Sequence, residues 1–319
     1  MVDVTILGSG AAAQTCGEVL YRAGFKVNRA LDLEAGDHTP VILGECNGAF
    51  AIARQAIESG RHLMIAAPGA ISAERLALLF ADRKRAQSIF IWNERRYHPG
   101  YRFVNSLTET DATWRPRYLR LETLCTEPTN SALVRLRTLE AIALLLSITS
   151  ESPVEVSGLA EANPMRNAPD LIALRLVFAG LEAFIQVGMG EAIERRETLL
   201  AAANRKAYVD ELNQSMPLRL VEDDSRPAAG PQARWLSCPP PGPEEMARQQ
   251  CLAFLDATLK TNLAQAEASL WLRSIAVLQA TDRSLQADGA PAPVEVGEEQ
   301  PRFRVILGRS FAASPHSVA

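Results

Sequence analysis

The strongest constraint on the fold is an alternation, over residues 1–98, of short apolar runs with patterns at helical spacing. The apolar runs predict strands over 4–7, 25–31, 41–46, 62–66 and 88–92. Helices are predicted between them over 11–23, 47–60 and 72–85, with Asn47 and Ser72 as N-caps. Because strands separated by helices of this length pair side by side in one direction, the pattern predicts an α/β fold with a doubly wound parallel sheet.

The second half of the chain has a different pattern. Strands are predicted over 118–126, 154–160, 171–178, 181–187, 199–209 and 218–220, with a long apolar helix over 132–148. Ala179-Gly180 between two of these runs is typical of a hairpin turn. Since no crossover helices lie between the hairpin strands, we expect an α+β region with an open mixed or antiparallel sheet.

The change of pattern predicts two domains, over 1–112 and 113–319. Residues 223–243, which contain PAAGP and CPPPGP, are expected to form a loop. A long helical region over 244–285, broken near 260–262, can pack back on the first domain. One more strand is expected over 303–307.

Composition and charge exclude several classes of protein. The chain has 319 residues, of which 47% are hydrophobic and 22% charged, and its net charge is −4 without any basic block, so a nucleic-acid partner is not expected. The five cysteines form no CxxC pair, which indicates neither a metal site nor a disulfide framework. No leader pattern is found and no apolar run reaches about 18 residues, so we expect a cytoplasmic protein without a membrane segment.

Between the first predicted strand and the first helix lies GSGAAA, residues 8–13. This is the GxGxxA pattern of dinucleotide-binding turns, in which Gly8 permits the tight turn, Gly10 lets the backbone approach a pyrophosphate and Ala13 keeps helix and strand close. Asp32 follows the second strand, where an acidic side chain can bind the ribose hydroxyls. The pattern predicts a Rossmann-like domain, and the alternative is that the glycines only turn a β–α connection.

The connection between the second and third predicted strands is short. Only LEAGDHT lies between Asp32 and Pro40, whereas a parallel crossover needs about a dozen residues or more. In the usual strand order the connection has to pass the first strand, a gap of roughly 20 Å. Extended peptide of this length reaches about 26 Å. We therefore expect one crossover helix to be missing. Fewer residues would then contact the adenine half of a bound dinucleotide.

Four segments of the chain occur in the order seen in a known family. They are GSGAAA at 8–13, Asn47 with its helix, ESGRHLMIAAP at 58–68 and NERRYHPG at 93–100. The sequence resembles the glucose-fructose oxidoreductase, inositol dehydrogenase and MocA family over nearly its entire length. The resemblance implies NAD or NADP as cofactor, a small-molecule substrate beside the C-terminal open sheet, and a homodimer formed through that sheet. The residues expected to bind the cofactor are Gly8, Ser9, Gly10, Ala11, Ala12, Asp32, Cys46, Asn47, Ala66, Pro68 and Arg96.

The sequence departs from this family where the family's chemistry is expected. Ala66-Ala67-Pro68 stands where the family usually has Glu-Lys-Pro, whose lysine holds the substrate oxygen and assists proton transfer. Ala67 offers neither a donor nor a charge. On the helix over 132–148 the family has a histidine and an aspartate, and Glu140 and Ala143 lie near those positions. The chain is therefore expected to be a divergent member.

Two ionisable residues are candidates for the catalytic acid or base. Glu140 lies in the apolar segment LEAIALLLSI, where partial withdrawal from water suits a carboxyl group to general-acid work. The alternative for Glu140 is a salt bridge to Arg137 on the helix surface. His98 can donate or accept a proton at neutral pH, or it only orders the turn before Pro99.

Two further residues can contact a ligand. Arg96 can bind a carboxylate, a phosphate or the nicotinamide side of a cofactor, and the alternative is a surface ion pair with Glu94 or Glu109. Cys46 precedes a helix N-terminus, which can lower the pKa of a thiol. The alternative for Cys46 is a packed core cysteine.

Two functions follow from these patterns. The first is a divergent NAD(P)-dependent oxidoreductase that acts on a small polar substrate, with Glu140 or His98 as proton donor. The second is a catalytically inactive descendant that binds a ligand or a partner chain. The glycine turn and Arg96 favour the first function, whereas Ala66-Ala67 and the short connection favour the second.

Overall fold

The computed structural model describes residues 3–33, 38–127, 131–162, 169–213, 215–223, 231–236 and 242–295. The first of its two sheets consists of the parallel strands β1 (Asp3–Leu7), β2 (Lys26–Ala30), β3 (Val41–Leu43), β4 (Leu63–Ile65) and β5 (Ile89–Ile91). The strand order is β2-β1-β3-β4-β5. The predicted parallel, Rossmann-like sheet is confirmed.

The helices of this region are α1 (Ala11–Arg22), α2 (Ala49–Glu58), α3 (Ala73–Asp82) and α4 (Pro99–Thr110). Ser72 caps α3 as predicted, since its hydroxyl accepts a hydrogen bond from the Arg75 N–H. The N-cap of α2 is Gly48, however, so the prediction for Asn47 is wrong. The sequence analysis missed α4, where Pro99-Gly100 resembles a loop signal although proline is favoured at the first helical position.

Alternate residues of the parallel strands face opposite sides of the sheet. On one side Leu43 and Ile65 pack against α2 and α3. On the other side Ile6 and Met64 pack against α1 and a later helix, α6, described below. The sheet is covered on both faces, which is the reason its short strands are uniformly apolar.

The short connection from β2 to β3 has neither helix nor strand among its described residues, 31–33 and 38–40. It runs beside β1, where the Thr5 N–H donates to the Pro40 carbonyl at 2.9 Å. In the described sheet β2 is the edge strand, and no described strand pairs with its outer side. The predicted loss of one crossover agrees with this arrangement.

The second sheet is large and open. Its strands are β6 (Tyr118–Cys125), β7 (Glu155–Ala162), β8 (Pro169–Val177), β9 (Glu182–Met189), β10 (Arg195–Ala201), β11 (Arg205–Asp210), β12 (Leu218–Asp223), β13 (Pro231–Leu236) and β14 (Ala292–Pro293), in the order β13-β12-β11-β10-β6-β9-β8-β7-β14. The pair β6 and β9 is parallel and the other pairs are antiparallel. The prediction of an open mixed sheet is confirmed.

Two details of this sheet correct the sequence analysis. The single strand predicted over 199–209 is a hairpin of β10 and β11, whose turn lacks the glycine that would have revealed it. The predicted loop over 223–243 contains β13, an edge strand that begins with Pro231, a position that tolerates proline. The strand predicted over 303–307 lies outside the described residues.

Three further α-helices lie in the described part of the chain: α5 (Ser131–Thr149), α6 (Pro243–Leu259) and α7 (Thr261–Gln286). The break predicted near 260–262 is confirmed. Residues 138–146 of α5 are buried on every side, and with α7 the helix covers one face of the second sheet. Helix α6 packs against α1 on the first sheet through Cys251 and Phe254. The division of the chain into domains over 1–112 and 113–319 remains a prediction. Across the described ranges, no helix has both the length and the apolar character that a membrane span requires.

Candidate functional site

The turn between β1 and α1 has the backbone that its glycines permit. Gly8 and Gly10 have φ angles of 82° and 98°, a left-handed region that other residues rarely adopt. Gly10 is the N-cap of α1, whose first turn contains no acidic residue and receives no side-chain cap. The exposed Ser9 and Ala11 complete the turn. The first N–H groups of α1 therefore depend on partners from outside the helix.

The glycine turn lies at the point where the strand order of the first sheet reverses. Strand β1 has β2 on one side and β3 on the other. The connection that follows β1 therefore leads to one side of it, and the connection that follows β2 leads to the other. In open α/β sheets, ligands bind in the crevice beyond the carboxyl ends of the strands at such a point. The turn therefore lies where ligands bind in sheets of this kind.

A third glycine, which the sequence analysis did not single out, is required here. Gly44 follows β3, and a Cβ placed on it would lie 2.7 Å from the Cβ of Ala13. The small side chain of Ala13 and the absence of one at Gly44 let α1 lie close to the sheet. The predicted role of Ala13 is thereby confirmed.

Glu45, also missed by the sequence analysis, lies against the glycine turn. Its backbone forms an antiparallel bridge with Ser9, in which Ser9 N–H donates to the Glu45 carbonyl at 2.9 Å and Glu45 N–H donates to the Ser9 carbonyl at 2.7 Å. A Cβ placed on Gly10 would lie 3.0 Å from the carboxyl carbon of Glu45. A carboxylate is thus adjacent to the N-terminus of α1.

The remaining residues expected near the nucleotide are found on the loops that follow β2 and β3. Asp32 is exposed two residues beyond β2, and Asn47 is exposed before α2. Cys46 is half-buried beside the main core, and burial raises the pKa of its thiol. The expected lowering of that pKa is wrong, because desolvation disfavours the thiolate.

At the end of β4 the structure places Ala66 in the core and Ala67 as the N-cap of a 3₁₀ turn, Pro68–Ala70. The turn contacts α5, where a Cβ on Gly69 would lie 3.4 Å from a methyl group of Leu136. Among the described residues up to position 127, neither of the two lysines lies at this end of the sheet. Lys26 pairs with Asp3 and Lys84 approaches Gly60, and these partners lie at the amino ends of the strands.

Arg96 forms a buried ion pair, though with neither of the expected partners. Its guanidinium donates to both carboxylate oxygens of Glu267 on α7, at 2.7 and 3.1 Å. Glu267 also accepts a hydrogen bond from the Trp271 indole at 2.8 Å. Although burial opposes its charge, the adjacent Glu267 raises the pKa of Arg96. The predicted surface pair with Glu94 or Glu109 is wrong, and Arg96 ties the end of β5 to α7.

Arg95 has a similar role toward the second sheet. It makes a bidentate contact with Glu211, which lies just beyond β11, with shortest N–O distances of 2.6 and 2.9 Å. The Tyr101 hydroxyl donates to the same carboxylate at 2.7 Å. Both members of the ion pair are buried, and although burial opposes ionisation of Glu211, the Arg95 guanidinium lowers the pKa of that carboxyl.

His98 is the N-cap of α4. Its Nδ1 accepts a hydrogen bond from the Gly100 N–H at 3.1 Å, and the residue is 3% exposed. Burial lowers the pKa of the imidazole, so His98 is neutral near pH 7. These contacts agree with the alternative that His98 orders the turn before Pro99. A catalytic role for His98 remains a prediction.

Glu140 is buried on α5 and paired. Its carboxylate accepts a hydrogen bond from Arg137 at 3.0 Å, and only 7% of its side chain is exposed. The Asn93 side chain, at the end of β5, donates to the Glu140 carbonyl at 3.0 Å. The salt bridge considered as an alternative is confirmed, and it lies within the protein rather than on the helix surface. Catalysis by Glu140 remains a prediction.

Glu94 is the ionisable residue at this site that the sequence analysis missed as a candidate. It begins the 3₁₀ turn Glu94–Tyr97 after β5 and is half-buried. Within the described part of the chain, its carboxylate has no hydrogen bond or ion pair. Burial raises its pKa, Arg196 opposes the rise and the nearby Glu140 adds to it. The motif NERRYHPG contained this residue, but sequence alone could not show its burial.

A cavity of about 240 Å³ lies elsewhere, on the second sheet. Its lining includes Arg120, Tyr208, Asp210, Asn213, Met216 and Arg219. Because these residues lie on β6, β11, β12 and the turn after β11, the cavity is separate from the glycine turn. The described residues contain no group of acidic, histidine or cysteine side chains arranged to hold a metal ion.

Comparisons of the sequence with family models and with curated proteins give no match. The structure is nevertheless similar to several solved structures. UDP-N-acetylglucosamine 3-dehydrogenase GnnA from Acidithiobacillus ferrooxidans is 17% identical with a TM-score of 0.73, covering 90% of this chain and 98% of its own. Levoglucosan dehydrogenase in complex with NADH is 13% identical with a TM-score of 0.67, covering 92% and 99%.

An NAD-binding oxidoreductase from Klebsiella pneumoniae is a third similar structure, with 10% identity and a TM-score of 0.71, covering 93% of this chain and 99% of its own. All three likenesses extend over both sheets. Because the identities are low, what they establish is the fold. The chain has the two-sheet fold of these dehydrogenases, as the sequence resemblance implied.

Proposed function

We propose that this chain is a divergent NAD(P)-dependent oxidoreductase acting on a small polar substrate. The observation that carries the proposal is the glycine turn, with its left-handed Gly8 and Gly10, at the carboxyl end of β1 and the N-terminus of α1. Such a turn brings backbone N–H groups and the positive end of a helix dipole toward a pyrophosphate. The fold shared with an NAD-binding oxidoreductase and with a dehydrogenase that holds NADH supports the proposal.

The backbone of the turn fits a dinucleotide, because Gly8 and Gly10 hold it in a left-handed conformation and the first N–H groups of α1 have no side-chain cap. Residues 8–12 would hold the pyrophosphate, and Asp32 would bind the ribose hydroxyls, which favours NAD because NADP carries a phosphate there. Cys46, Asn47, Ala66 and Pro68 follow the neighbouring strands and would line the other half of the cofactor. When bound, the cofactor would exchange a hydride with the substrate.

Glu94 is the side chain best suited to exchange a proton with the substrate. Its carboxylate is unpaired among the described residues. Burial raises the pKa of Glu94, so the group exchanges its proton at a pH nearer to neutral than an ordinary glutamate does. Glu140 and Arg137 lie close to Glu94. Their ion pair fixes the position of the Glu140 carboxylate. Since Ala67 cannot serve as a donor, Glu94 would take the role that a lysine has in the resembling family.

The substrate class that the comparisons favour is a carbohydrate. One similar structure is a dehydrogenase of UDP-N-acetylglucosamine, and another is a dehydrogenase of levoglucosan. Glu94, Glu140, Arg137 and Arg196 form a mixed-charge group where β5, α5 and β10 meet. Such side chains can accept and donate hydrogen bonds to hydroxyl groups. We therefore propose a sugar or a sugar derivative as the small polar substrate.

One observation favours the second function, a catalytically inactive subunit that binds a ligand or a partner. Arg96, His98 and Glu140 each make a structural contact, with Glu267, with Gly100 and with Arg137. Residues engaged in this way are less available for chemistry. In that case the chain would retain a binding site without turnover.

A homodimer through the second sheet is also proposed. Helices α5 and α7 cover one face of this sheet, while Tyr118 and Phe184 pair on the other face with ring centres 5.6 Å apart and remain half-buried. A second copy would cover these apolar groups. Sedimentation velocity should give the mass of a dimer, and a monomer at all concentrations would contradict the proposal.

The binding half of the proposed function is tested by titrating the protein with NADH and with NADPH while recording fluorescence. We expect saturable binding, stronger for NADH because of Asp32. The fluorescence should be compared with that of the variant Gly10→Val, whose side chain would occupy the approach to the turn. Absence of binding to the unaltered protein at millimolar cofactor would refute the proposal.

The chemical half is tested by turnover with sugars and sugar nucleotides. Glu94→Gln should lower kcat by about 10²- to 10⁴-fold, the usual contribution of a general acid or base, with little change in cofactor affinity. Glu58→Gln, on the exposed end of α2, is the matched control. If Glu140→Gln abolishes turnover while Glu94→Gln does not, the proton donor is Glu140. If NADH binds but no substrate is turned over, the chain is the inactive subunit.

A further inference from the structure

The side chain of Glu45 occupies the approach to Gly10. A Cβ built on Gly10 would lie 3.0 Å from the Glu45 carboxyl carbon, 3.1 Å from its Cγ and 3.1 Å from a carboxylate oxygen. Gly10 is the position at which the backbone of a dinucleotide-binding turn comes closest to the pyrophosphate. A negatively charged group of the protein therefore lies where a negatively charged part of the ligand is expected.

The backbone holds Glu45 in this place. The two hydrogen bonds of the bridge with Ser9 are reinforced by the Ser9 hydroxyl, which donates to the Glu45 carbonyl at 3.3 Å. A Cβ on Gly8 would lie 2.6 Å from the same carbonyl oxygen. With its main chain fixed on both sides of the turn, Glu45 can vary its position only through its side chain.

The electrostatics of α1 explain why a carboxylate lies there. The first turn of α1 has no acidic residue and no side-chain cap, so the positive end of its dipole is uncompensated by the helix itself. Glu45, two residues beyond the neighbouring strand β3, supplies a negative charge next to Gly10. The residue is exposed, so the side chain is free to rotate into solvent when another anion arrives.

We propose that Glu45 is a built-in anion at the glycine turn, which the pyrophosphate of a dinucleotide must displace, and that it sets a low affinity for the cofactor. This inference rests on the proposed function. Its consequence is that the Glu45 side chain has to turn away before the ligand binds, while its backbone, held at Ser9, keeps the charge close enough to repel the ligand. Glu45 is thus an affinity-determining residue of the site.

The test is NADH titration of the unaltered protein, Glu45→Gln, Glu45→Ala and the control Glu58→Gln. Glu45→Gln removes the charge and keeps the shape, while Glu45→Ala removes both. We expect each Glu45 variant to lower the Kd by about fivefold or more, the effect of one like charge at 4 Å in water. Glu58→Gln, with the same charge change on α2, should leave the Kd unchanged. Circular dichroism and thermal unfolding establish that each variant is folded.

The outcomes separate this inference from the proposed function. Equal affinity of the unaltered protein and both Glu45 variants would overturn the inference and leave the nucleotide site intact. Failure of every form to bind NADH at millimolar concentration would overturn both. A gain shared by Glu58→Gln would also overturn the inference, because net charge rather than the position of Glu45 would then be the cause. Should Glu45→Ala prove unfolded, Glu45→Gln alone decides the result.

Discussion

Gly8 and Gly24 have nearly the same backbone conformation in different surroundings. Their φ angles are 82° and 87°. A Cβ on Gly8 would lie 2.6 Å from the carbonyl oxygen of Glu45, whereas a Cβ on Gly24 would meet nothing within 4 Å. Both positions therefore need glycine for its backbone conformation, but only Gly8 also needs it because the segment that follows β3 lies so close.

We expect Gly24→Ala to lower the free energy of unfolding by about 1–2 kcal/mol through backbone conformation alone. Gly8→Ala should cost about 1–3 kcal/mol more, because the added methyl group has to push the backbone at Glu45 away from the turn. Urea unfolding monitored by circular dichroism measures both values. Equal losses for the two variants would show that the backbone at Glu45 does not restrict the turn.

At the level of elements, α4 depends on a titratable cap. His98 accepts the Gly100 N–H through Nδ1, which it can do only when that nitrogen is unprotonated. Burial lowers the pKa of His98 from 6.5, Arg95 adds to the lowering, and Glu211 and Asp210 oppose it. The folded protein therefore binds this proton less strongly than the unfolded chain does.

This linkage has a definite sign. The stability that neutral His98 contributes is present above the unfolded pKa of about 6.5 and is lost as the pH falls through that value toward the lower folded pKa. His98→Asn keeps a favourable N-cap without a titratable group. Its free energy of unfolding should fall less than that of the unaltered protein between about pH 7.5 and about pH 5.5.

Part of the loss should remain in His98→Asn, since burial also lowers the pKa of His62. Denaturant unfolding at several pH values measures both curves. Identical pH dependence in the two proteins would mean that His98 is not the group responsible.

At the level of the whole molecule, a buried ion pair joins the two sheets. Arg95 follows β5 of the first sheet and Glu211 follows β11 of the second, with 8% and 7% of the side chains exposed. Thr123 on β6 accepts a further hydrogen bond from Arg95 at 3.0 Å. This contact fixes the first sheet, and the candidate site at its edge, relative to the second.

Glu211→Gln should lower the free energy of unfolding by about 3–5 kcal/mol, because it leaves the buried Arg95 charge uncompensated. The exposed pair of Arg175 and Glu182 provides the control, and Glu182→Gln should cost about 0–1 kcal/mol. Urea unfolding measures both. A loss at Glu211 no larger than that at Glu182 would show that this ion pair does not hold the two sheets together.

Local patterns predicted the parallel strands, their connecting helices and the glycine turn, because each depends on neighbours in sequence. The predictions failed where the local signal was ambiguous. Pro99-Gly100 begins α4, β10 and β11 meet in a turn without glycine, and Pro231 opens an edge strand. In each case pairing or packing with distant residues decides between conformations that the local sequence permits.

By itself, the sequence determined the apolar periodicity, the short connection after β2, the glycines at positions 8 and 10, and the absence of a lysine at position 67. Only the tertiary structure decided the partners of the charged groups. Arg96 contacts Glu267 rather than Glu94, and Glu45 contacts the glycine turn from the loop that follows β3. The reason is physical: backbone conformation depends mainly on adjacent residues, whereas burial and ion pairing depend on which distant segments the fold brings together.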